Sequence, residues 1–375
     1  MKVTVQRATL KRFRRVLVTS DIHGHGHLLK RLLKAAAFSR DDALVIVGDM
    51  VEKGPDSLGT LRYVMELSKQ ENVFPLMGNV DLWRLCLLEE RDREQMKEVI
   101  RFSQNAEKWW GSSMVGEMAW EMQLEMDENS DPEPFFDALR SGFEKEMAFM
   151  RALPTVLETE NFHFVHGGLP HERMDEIAAM ENAFAILKLD DFMGKGLCFD
   201  KFVVCGHWPV ALYDENLLQH GPVIDKQRRI AAIDGGCGVR GDGQLNLMIT
   251  DWEGKRFESL SATDKEKVQA LDGQKPSEKC RNIRWQDPGV DLIQKGEKWA
   301  RIAHHGYEMD IPLHFLEGDA QNGWKCYNLT DHRLAVQPGE VMDLIFEHDG
   351  IAYCKKENVC GWYEGRYQKI KETEQ

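Results

Sequence analysis

Short apolar runs that stop abruptly at Asp, His, Asn or Gly recur along the first 250 residues. Val16-Leu17-Val18-Thr19 ends in Ser20-Asp21-Ile22-His23-Gly24, Ala43-Leu44-Val45-Ile46-Val47 in Gly48-Asp49, and Val73-Phe74-Pro75-Leu76-Met77 in Gly78-Asn79-Val80-Asp81. Further on, Phe162-His163-Phe164-Val165 ends in His166-Gly167-Gly168, Phe202-Val203-Val204-Cys205 in Gly206-His207, and Ile230-Ala231-Ala232-Ile233 in Asp234-Gly235-Gly236. Such runs predict buried strands. Between the first three, Leu28, Leu29, Leu32, Leu33, Ala36 and Ala37, then Leu58, Leu61, Val64, Met65 and Leu67, recur at helical spacing and predict crossover helices. Strand alternating with helix predicts an α/β layer architecture. Residues 1–15 alternate loosely and predict a lead-in or edge strand, and Leu245-Asn246-Leu247-Met248-Ile249 a closing one.

Two stretches break this rhythm. Residues of about 89–154 are rich in Trp, Met, Glu and Leu and poor in strand signals, which predicts a helical insertion; residues 89–151 hold 16 acidic and 8 basic side chains. It is either a solvated helical face or a cap over the site. Residues 262–282, rich in Lys, Asp and Gly, predict a linker. Beyond it an internal repeat is written at an offset of 52: Asp291-Leu292-Ile293 returns as Asp343-Leu344-Ile345, Ala300 as Ala352, and Ile311 falls on Tyr363. Short strands and Gly turns predict two small β-barrels, at 283–320 and 325–372. The second, with Gly361-Trp362-Tyr363, resembles SH3-like domains, which implies a peptide or protein partner.

Composition changes the picture little. The 375 residues suffice for two or three domains, and 42% hydrophobic with 29% charged residues is an ordinary globular balance. A formal charge of −14 leaves no basic surplus for a phosphate backbone, so no nucleic-acid partner is expected. Eight cysteines without C-x-x-C spacing suit reduced thiols of a cytoplasmic protein. Neither a signal-peptide core nor a membrane-spanning run is seen, so no membrane partner is expected.

The chemistry stands at the strand ends: Asp21, His23, Asp49, Asn79, His166 and His207. Residues at the carboxyl ends of strands in an α/β sheet converge in space. Carboxylates, imidazoles and one amide oxygen suit hard to borderline divalent ions, and six ligands are right for two ions sharing a carboxylate. In this order, Asp-x-His-Gly, Gly-Asp-x-x-x-x-Gly, Gly-Asn-x-Asp, His-Gly-Gly and Gly-His-x-Pro resemble the calcineurin-like metallophosphoesterases, and within them the phosphoprotein phosphatase (serine/threonine phosphatase-like) family. The resemblance implies an α+β metallophosphoesterase sandwich over residues 1–261. It implies that Asp21, His23 and Asp49 hold one ion and that Asp49, Asn79, His166 and His207 hold the second, with Asp49 bridging and positioning the nucleophilic water. Manganese is the first expectation for both ions; iron, zinc and nickel are the alternatives.

The departures from that family are as informative as the match. Gly48-Asp49-Met50-Val51-Glu52-Lys53-Gly54 puts Lys53 where the family has a phosphate-gripping arginine, and lysine offers a point charge rather than a planar fork. Val80 stands where the resemblance places the histidine that protonates the leaving group, and Glu52 where an aspartate would pair with it. Lys53 and Asn79 are the expected substrate-binding groups. The general acid is unassigned, with His25 a candidate, and Arg173, Lys188 and Lys195 are among the cations between His166 and His207. Loss of acid catalysis should weigh on serine and threonine alkoxides more than on aryl phosphates and phosphoanhydrides. The readings are therefore a two-metal phosphomonoesterase acting on phosphorylated protein or a small phosphoester; a hydrolase of dinucleoside polyphosphates or other phosphoanhydrides; or a phosphatase-like binding protein using its β-domains for partner contacts.

Overall fold

The computed structural model describes residues 1–370, apart from the side chain of residue 107. The chain divides into two compact units that interleave in sequence: Met1–Trp208, Pro222–Val239 and Gly243–Ala262 form the first, and Pro209–Gly221, Arg240–Asp242 and the residues from Thr263 onward the second.

The first unit opens with β1 (Val5–Arg7), β2 (Arg15–Thr19), α1 (Gly26–Ala35), β3 (Asp42–Ile46), α2 (Ser57–Leu67), β4 (Val73–Pro75) and α3 (Asn79–Glu89). Four more helices follow, α4 (Arg93–Trp110), α5 (Met114–Glu121), α6 (Pro132–Gly142) and α7 (Glu144–Ala152). Then come β5 (Val156–Glu158), β6 (Phe162–Val165), α8 (Met174–Ala178), α9 (Phe184–Leu187), β7 (Phe202–Cys205), β8 (Val223–Asp225), β9 (Ile230–Ala232), β10 (Leu245–Thr250) and β11 (Phe257–Ala262). They make two sheets, ordered β1-β5-β6-β7-β9-β8 and β11-β10-β2-β3-β4. Val16 and Val18 of β2, Ala43 and Val45 of β3, Phe162 and Phe164 of β6, and Val204 of β7 share one buried cluster, so the two sheets face each other across a common core. Because strand side chains alternate, Leu17 and Leu44 fall on the other face of their sheet and are also fully buried. Strands covered on both faces explain why the runs read as continuous apolar stretches. Both sheets bring their parallel strands to one end: β2, β3 and β4 of one, β6, β7 and β9 of the other.

Among the described residues the strands of the second unit pair antiparallel: β12 (Glu266–Ala270), β13 (Asn282–Ile283), β14 (Gly289–Lys295), β15 (Trp299–His304), β16 (Tyr307–Pro312), β17 (Leu316–Asp319), β18 (Gly323–Cys326), β19 (Leu329–Thr330), β20 (Val341–His348), β21 (Ile351–Lys356), β22 (Val359–Tyr363) and β23 (Tyr367–Lys369). Its two five-stranded sheets are β16-β15-β14-β18-β17 and β22-β21-β20-β12-β23. The 52-residue repeat is reproduced in the hydrogen-bond ladders. Leu292 pairs Ile302 and Gln294 pairs Arg301, skipping Ile293; Leu344 pairs Cys354 and Phe346 pairs Tyr353, skipping Ile345. Ala300 pairs Ile311 as Ala352 pairs Tyr363.

This architecture corrects the linker expected at 262–282. Val268 of β12 is fully buried and pairs Met342 of β20, the place that Trp324 of β18 takes beside Val290 in the first sheet. The second sheet thus takes its fifth strand from the chain that precedes the first sheet. The same pairing moves the boundary expected at 320, since β17 and β18 close the first sheet through Cys326. Among the described residues no helix is long and apolar enough to cross a membrane.

Candidate metal centre

Asp21 and His23 follow β2, Asp49 follows β3, Asn79 opens α3 after β4, His166 follows β6 and His207 follows β7. Chain reversal at these strand ends is tight enough that Asp21, His23, Asp49 and His207 all adopt left-handed backbone, with φ of 53°, 45°, 52° and 65°. Non-glycine residues hold that conformation at a cost of order 1–3 kcal/mol each, and such residues cluster at functional sites. Gly78 is required for a different reason: a Cβ there would stand 2.2 Å from Asp49 Oδ1.

The carboxylate of Asp49 is the middle of the site. Its Oδ2 lies 3.6 Å from His23 Nε2 and 3.4 Å from His166 Nε2, while Asp21 Oδ1 lies 3.9 and 4.0 Å from the same two nitrogens. Ligand atoms of Asp21, His23 and Asp49 fall within 4.8 Å of one another. On the far side, Asn79 Oδ1 is 2.9 Å from His166 Nε2. Each imidazole is oriented from behind, His23 Nδ1 donating to Val51 O at 3.1 Å and His166 Nδ1 to Val47 O at 2.7 Å. Backbone carbonyls of this kind fix the tautomer and leave Nε2 for an ion. His207 differs: its Nε2 is bonded to Asp190 Oδ1 at 2.7 Å, and its ring centre is 5.5 Å from that of His166. Only Nδ1 of His207 is left to serve as a ligand atom.

The electrostatics describe a pocket that wants positive charge. Burial, with Asp49 adding to it, raises the Asp21 carboxyl, and burial beside Asp21 raises Asp234. Burial alone would raise Asp49 too, but His166, His23 and Lys53 hold it well below the usual carboxylate range. Burial would lower His166, yet Asp49 and Asp21 outweigh it and push the imidazole up to about 10. Burial and then Lys53 push His23 down to about 3. Two buried carboxylates drawing a proton onto the neighbouring imidazole is the behaviour of a donor set built for a cation. The residues present therefore fit divalent ions, with Asp49 lying between the two imidazoles.

The groups around this centre explain the departures seen in the sequence. Val80 is buried and gives the site only its N–H, which Asp49 Oδ1 accepts at 2.8 Å. Asp81, one residue on, does not replace an acid at the substrate: its oxygens accept the N–H groups of Met50 and Gly78 at 2.9 and 3.0 Å, tying the Asp49 loop to the start of α3. Burial and then Asp49 push its carboxyl up to about 7. Glu52, instead of orienting a histidine, forms a buried ion pair with Arg84 of α3 at 2.7 Å and accepts the Met114 N–H at 3.0 Å. Lys53 beside it has φ 62° and brings Nζ to 3.4 Å from His23 Nε2. The candidate acid His25 is held by its Nδ1 against His23 O at 2.6 Å, a loop-fixing bond. Arg173 is exposed and paired with Glu176 at 2.7 Å, and Lys188 and Lys195 are exposed. His163 turns to Glu158, at 3.5 Å.

The helical insertion meets the loop that follows Asp49. Ser112 Oγ donates to Gly54 O at 3.3 Å, and Glu117 accepts the Ser57 and Leu58 N–H groups at 2.9 and 2.6 Å, supplying a carboxylate to the first turn of α2. Much of its acidic surplus is used in lacing helices: Arg93 pairs with Asp131 and Glu133, Arg101 with Glu128, Arg62 with Glu121 and Glu146. Glu52–Arg84, Asp190 and Glu117 are the site-proximal groups that strand-end reasoning did not single out. The one available signal was the Glu52-for-aspartate exchange.

Comparison with known proteins gives a family. A family model described as calcineurin-like phosphoesterase matches residues 14–232. A symmetrical bis(5'-nucleosyl)-tetraphosphatase of Edwardsiella ictaluri is 39% identical over 83 residues, 22% of this chain and 29% of that protein. The serine/threonine-protein phosphatase 1 of Salmonella typhimurium is 45% identical over 62 residues, 16% of this chain and 29% of that protein. The chain thus spans under a third of the length of either relative. Among solved structures, a diadenosine tetraphosphatase superposes with a TM-score of 0.41 at 18% identity, over 70% of this chain and 99% of that one.

Proposed function

Because this chain belongs to the calcineurin-like phosphoesterase family, we propose that it is a two-metal phosphoester hydrolase whose preferred bonds are those with good leaving groups, phosphoanhydrides first. The observation that carries the catalytic part is Asp49 Oδ2, placed 3.6 and 3.4 Å from the Nε2 atoms of two separately oriented imidazoles. Two divalent ions held by Asp21, His23, Asp49, Asn79, His166 and His207 would supply the electrophilic charge and the water nucleophile of an in-line displacement. The chain's own contribution is to hold these donors, to add the Lys53 ammonium near His23 as a point charge for phosphate, and to offer the Asn79 amide beside His166.

The leaving-group preference rests on Val80. Valine cannot protonate an alkoxide, Glu52 is committed to Arg84, and Asp81 to two backbone amides. Positioned acid catalysis is worth roughly 10² to 10⁴ in rate, so serine-type phosphoesters lose most by its absence. The similarity to a bis(5'-nucleosyl)-tetraphosphatase supports this reading, and the similarity to a serine/threonine phosphatase supports the wider one. Turnover of p-nitrophenyl phosphate, a phosphoserine peptide and a dinucleoside polyphosphate, each with Mn, Ni or Zn, tests it, with Asp49→Asn as control. Phosphoserine turnover as fast as anhydride turnover would overturn the preference; Asp49-independent turnover would overturn the centre.

A further inference from the structure

The open face of α3 carries more than Asn79. Residues three and four apart share a helix face, and along α3 the half-buried or exposed positions are Asn79, Trp83, Cys86, Leu87 and Glu89, while Val80, Asp81, Leu82, Arg84, Leu85 and Leu88 are buried. Trp83 therefore stands on the same face as the candidate ligand Asn79, one turn on, about 6 Å of helix rise.

Trp83 is the first ring of a series. Its centroid is 5.2 Å from Phe102 of α4, which in turn lies 6.2 Å from Trp109 and 5.8 Å from Trp110. Trp109, 63% exposed, is a large ring that the core does not use. Arg84 stiffens the base of the series from inside, its guanidinium 4.9 Å from the Trp83 ring and 5.7 Å from Phe102. A second, independent tether sets the other end. Two residues after Trp110, Ser112 bonds to Gly54 O, and Gly54 packs so closely on the ligand loop that a Cβ would stand 1.8 Å from His23 O. The aromatic ledge is thus joined to the ligand-bearing segments through α3 on one side and through the Gly54 loop on the other.

We propose that Trp83, Phe102, Trp109 and Trp110 form the subsite for a nucleobase carried by the substrate, which would stack on the ledge while its polyphosphate lies at the centre. This rests on the phosphoanhydride reading above and gives that substrate an identity. Trp and Phe faces accept any base, so the subsite selects for a flat aromatic group and not for one base. Stacking also compensates chemically: binding energy at a remote ring can be used to position a bond that receives no acid assistance.

The test compares diadenosine tetraphosphate with inorganic tripolyphosphate, an anhydride with no base, on the full chain with Mn. The ratio of the two kcat/KM values should fall by about 5- to 150-fold in Trp109→Ala, the range expected for one stacked base, and recover in Trp109→Phe. In parallel, AMP should quench tryptophan fluorescence of Asp49→Asn protein, and Trp109→Ala should remove most of that quenching. An unchanged ratio or unchanged quenching overturns the subsite. Should the protein turn over neither anhydride, the phosphoanhydride reading fails, and the AMP titration still decides the ledge.

Discussion

Val80 sits one residue beyond a candidate ligand, yet its side chain is buried and only its N–H reaches Asp49. Replacing it by histidine tests whether leaving-group protonation limits the reaction. Val80→His should raise phosphoserine turnover relative to dinucleoside polyphosphate turnover by roughly tenfold, below the 10² to 10⁴ of a well-positioned acid, because Glu52 is held by Arg84 and cannot orient the new imidazole. Steady-state comparison of the two substrates reads that ratio, and an unchanged ratio would show that proton donation is not the missing step. The buried pair itself makes a stability prediction. Arg84→Met leaves the Glu52 carboxylate buried with only the Met114 N–H, and breaking a buried pair from one side costs about 3–5 kcal/mol. Arg84→Met combined with Glu52→Gln should recover a large part of that loss in denaturant titrations. Additivity of the two would mean that the pair carries no coupling.

At the scale of elements, Glu158 shows how the six-stranded sheet is laced along its edge. On β5, it accepts from Arg7 of β1 at 2.9 Å and from Lys201 before β7 at 3.0 Å, with His163 of β6 at 3.5 Å. Burial would raise this carboxyl, but Lys201, Arg7 and His163 outweigh it and push it down to about 2. A carboxyl lowered in the folded state adds stability that is present above its unfolded value and lost as pH falls through the folded one. Glu158→Gln should therefore cost about 1 kcal/mol at neutral pH, since solvent screens the exposed Arg7 partner, and the difference from the parent should shrink between about pH 4.3 and pH 2. Urea titrations across that range check the slope, and a difference independent of pH would exclude the linkage. The same scale shows what periodicity can and cannot reveal. Strands covered on both faces, such as β2 and β3, announce themselves as unbroken apolar runs, and the 52-residue repeat announced two β-units. β12 did not, because its sequence Glu266-Lys267-Val268-Gln269-Ala270 has only two inward positions, Val268 and Ala270, and its partner β20 lies about 75 residues away. Nothing local marks a strand whose pairing is that distant.

For the whole molecule, the same asymmetry decides how much of the site was legible. Six candidate ligands could be named because strand ends converge by topology, and the structure brings Asp21, His23, Asp49 and His166 together and Asn79 against His166, while turning His207 Nε2 to Asp190. The Glu52–Arg84 pair, the Glu117 cap and the aromatic ledge could not be named, since each joins the ligand loops to helices whose placement no spacing encodes. The centre also links global stability to ion concentration. Its carboxylates converge in the folded chain alone, so divalent ions should bind that state in preference to the unfolded one. At 100 times the dissociation constant, one such ion adds about 2.7 kcal/mol. Adding Mn, Ni or Zn to chelator-treated protein should therefore raise the unfolding temperature measured by calorimetry, and the rise should grow with the logarithm of ion concentration once sites are filled. Asp49→Asn removes the carboxylate shared between His23 and His166, so it should abolish most of the ion-dependent rise. An ion-dependent rise of equal size in Asp49→Asn would place the stabilising ions elsewhere on the chain and remove the physical basis for a shared-carboxylate centre.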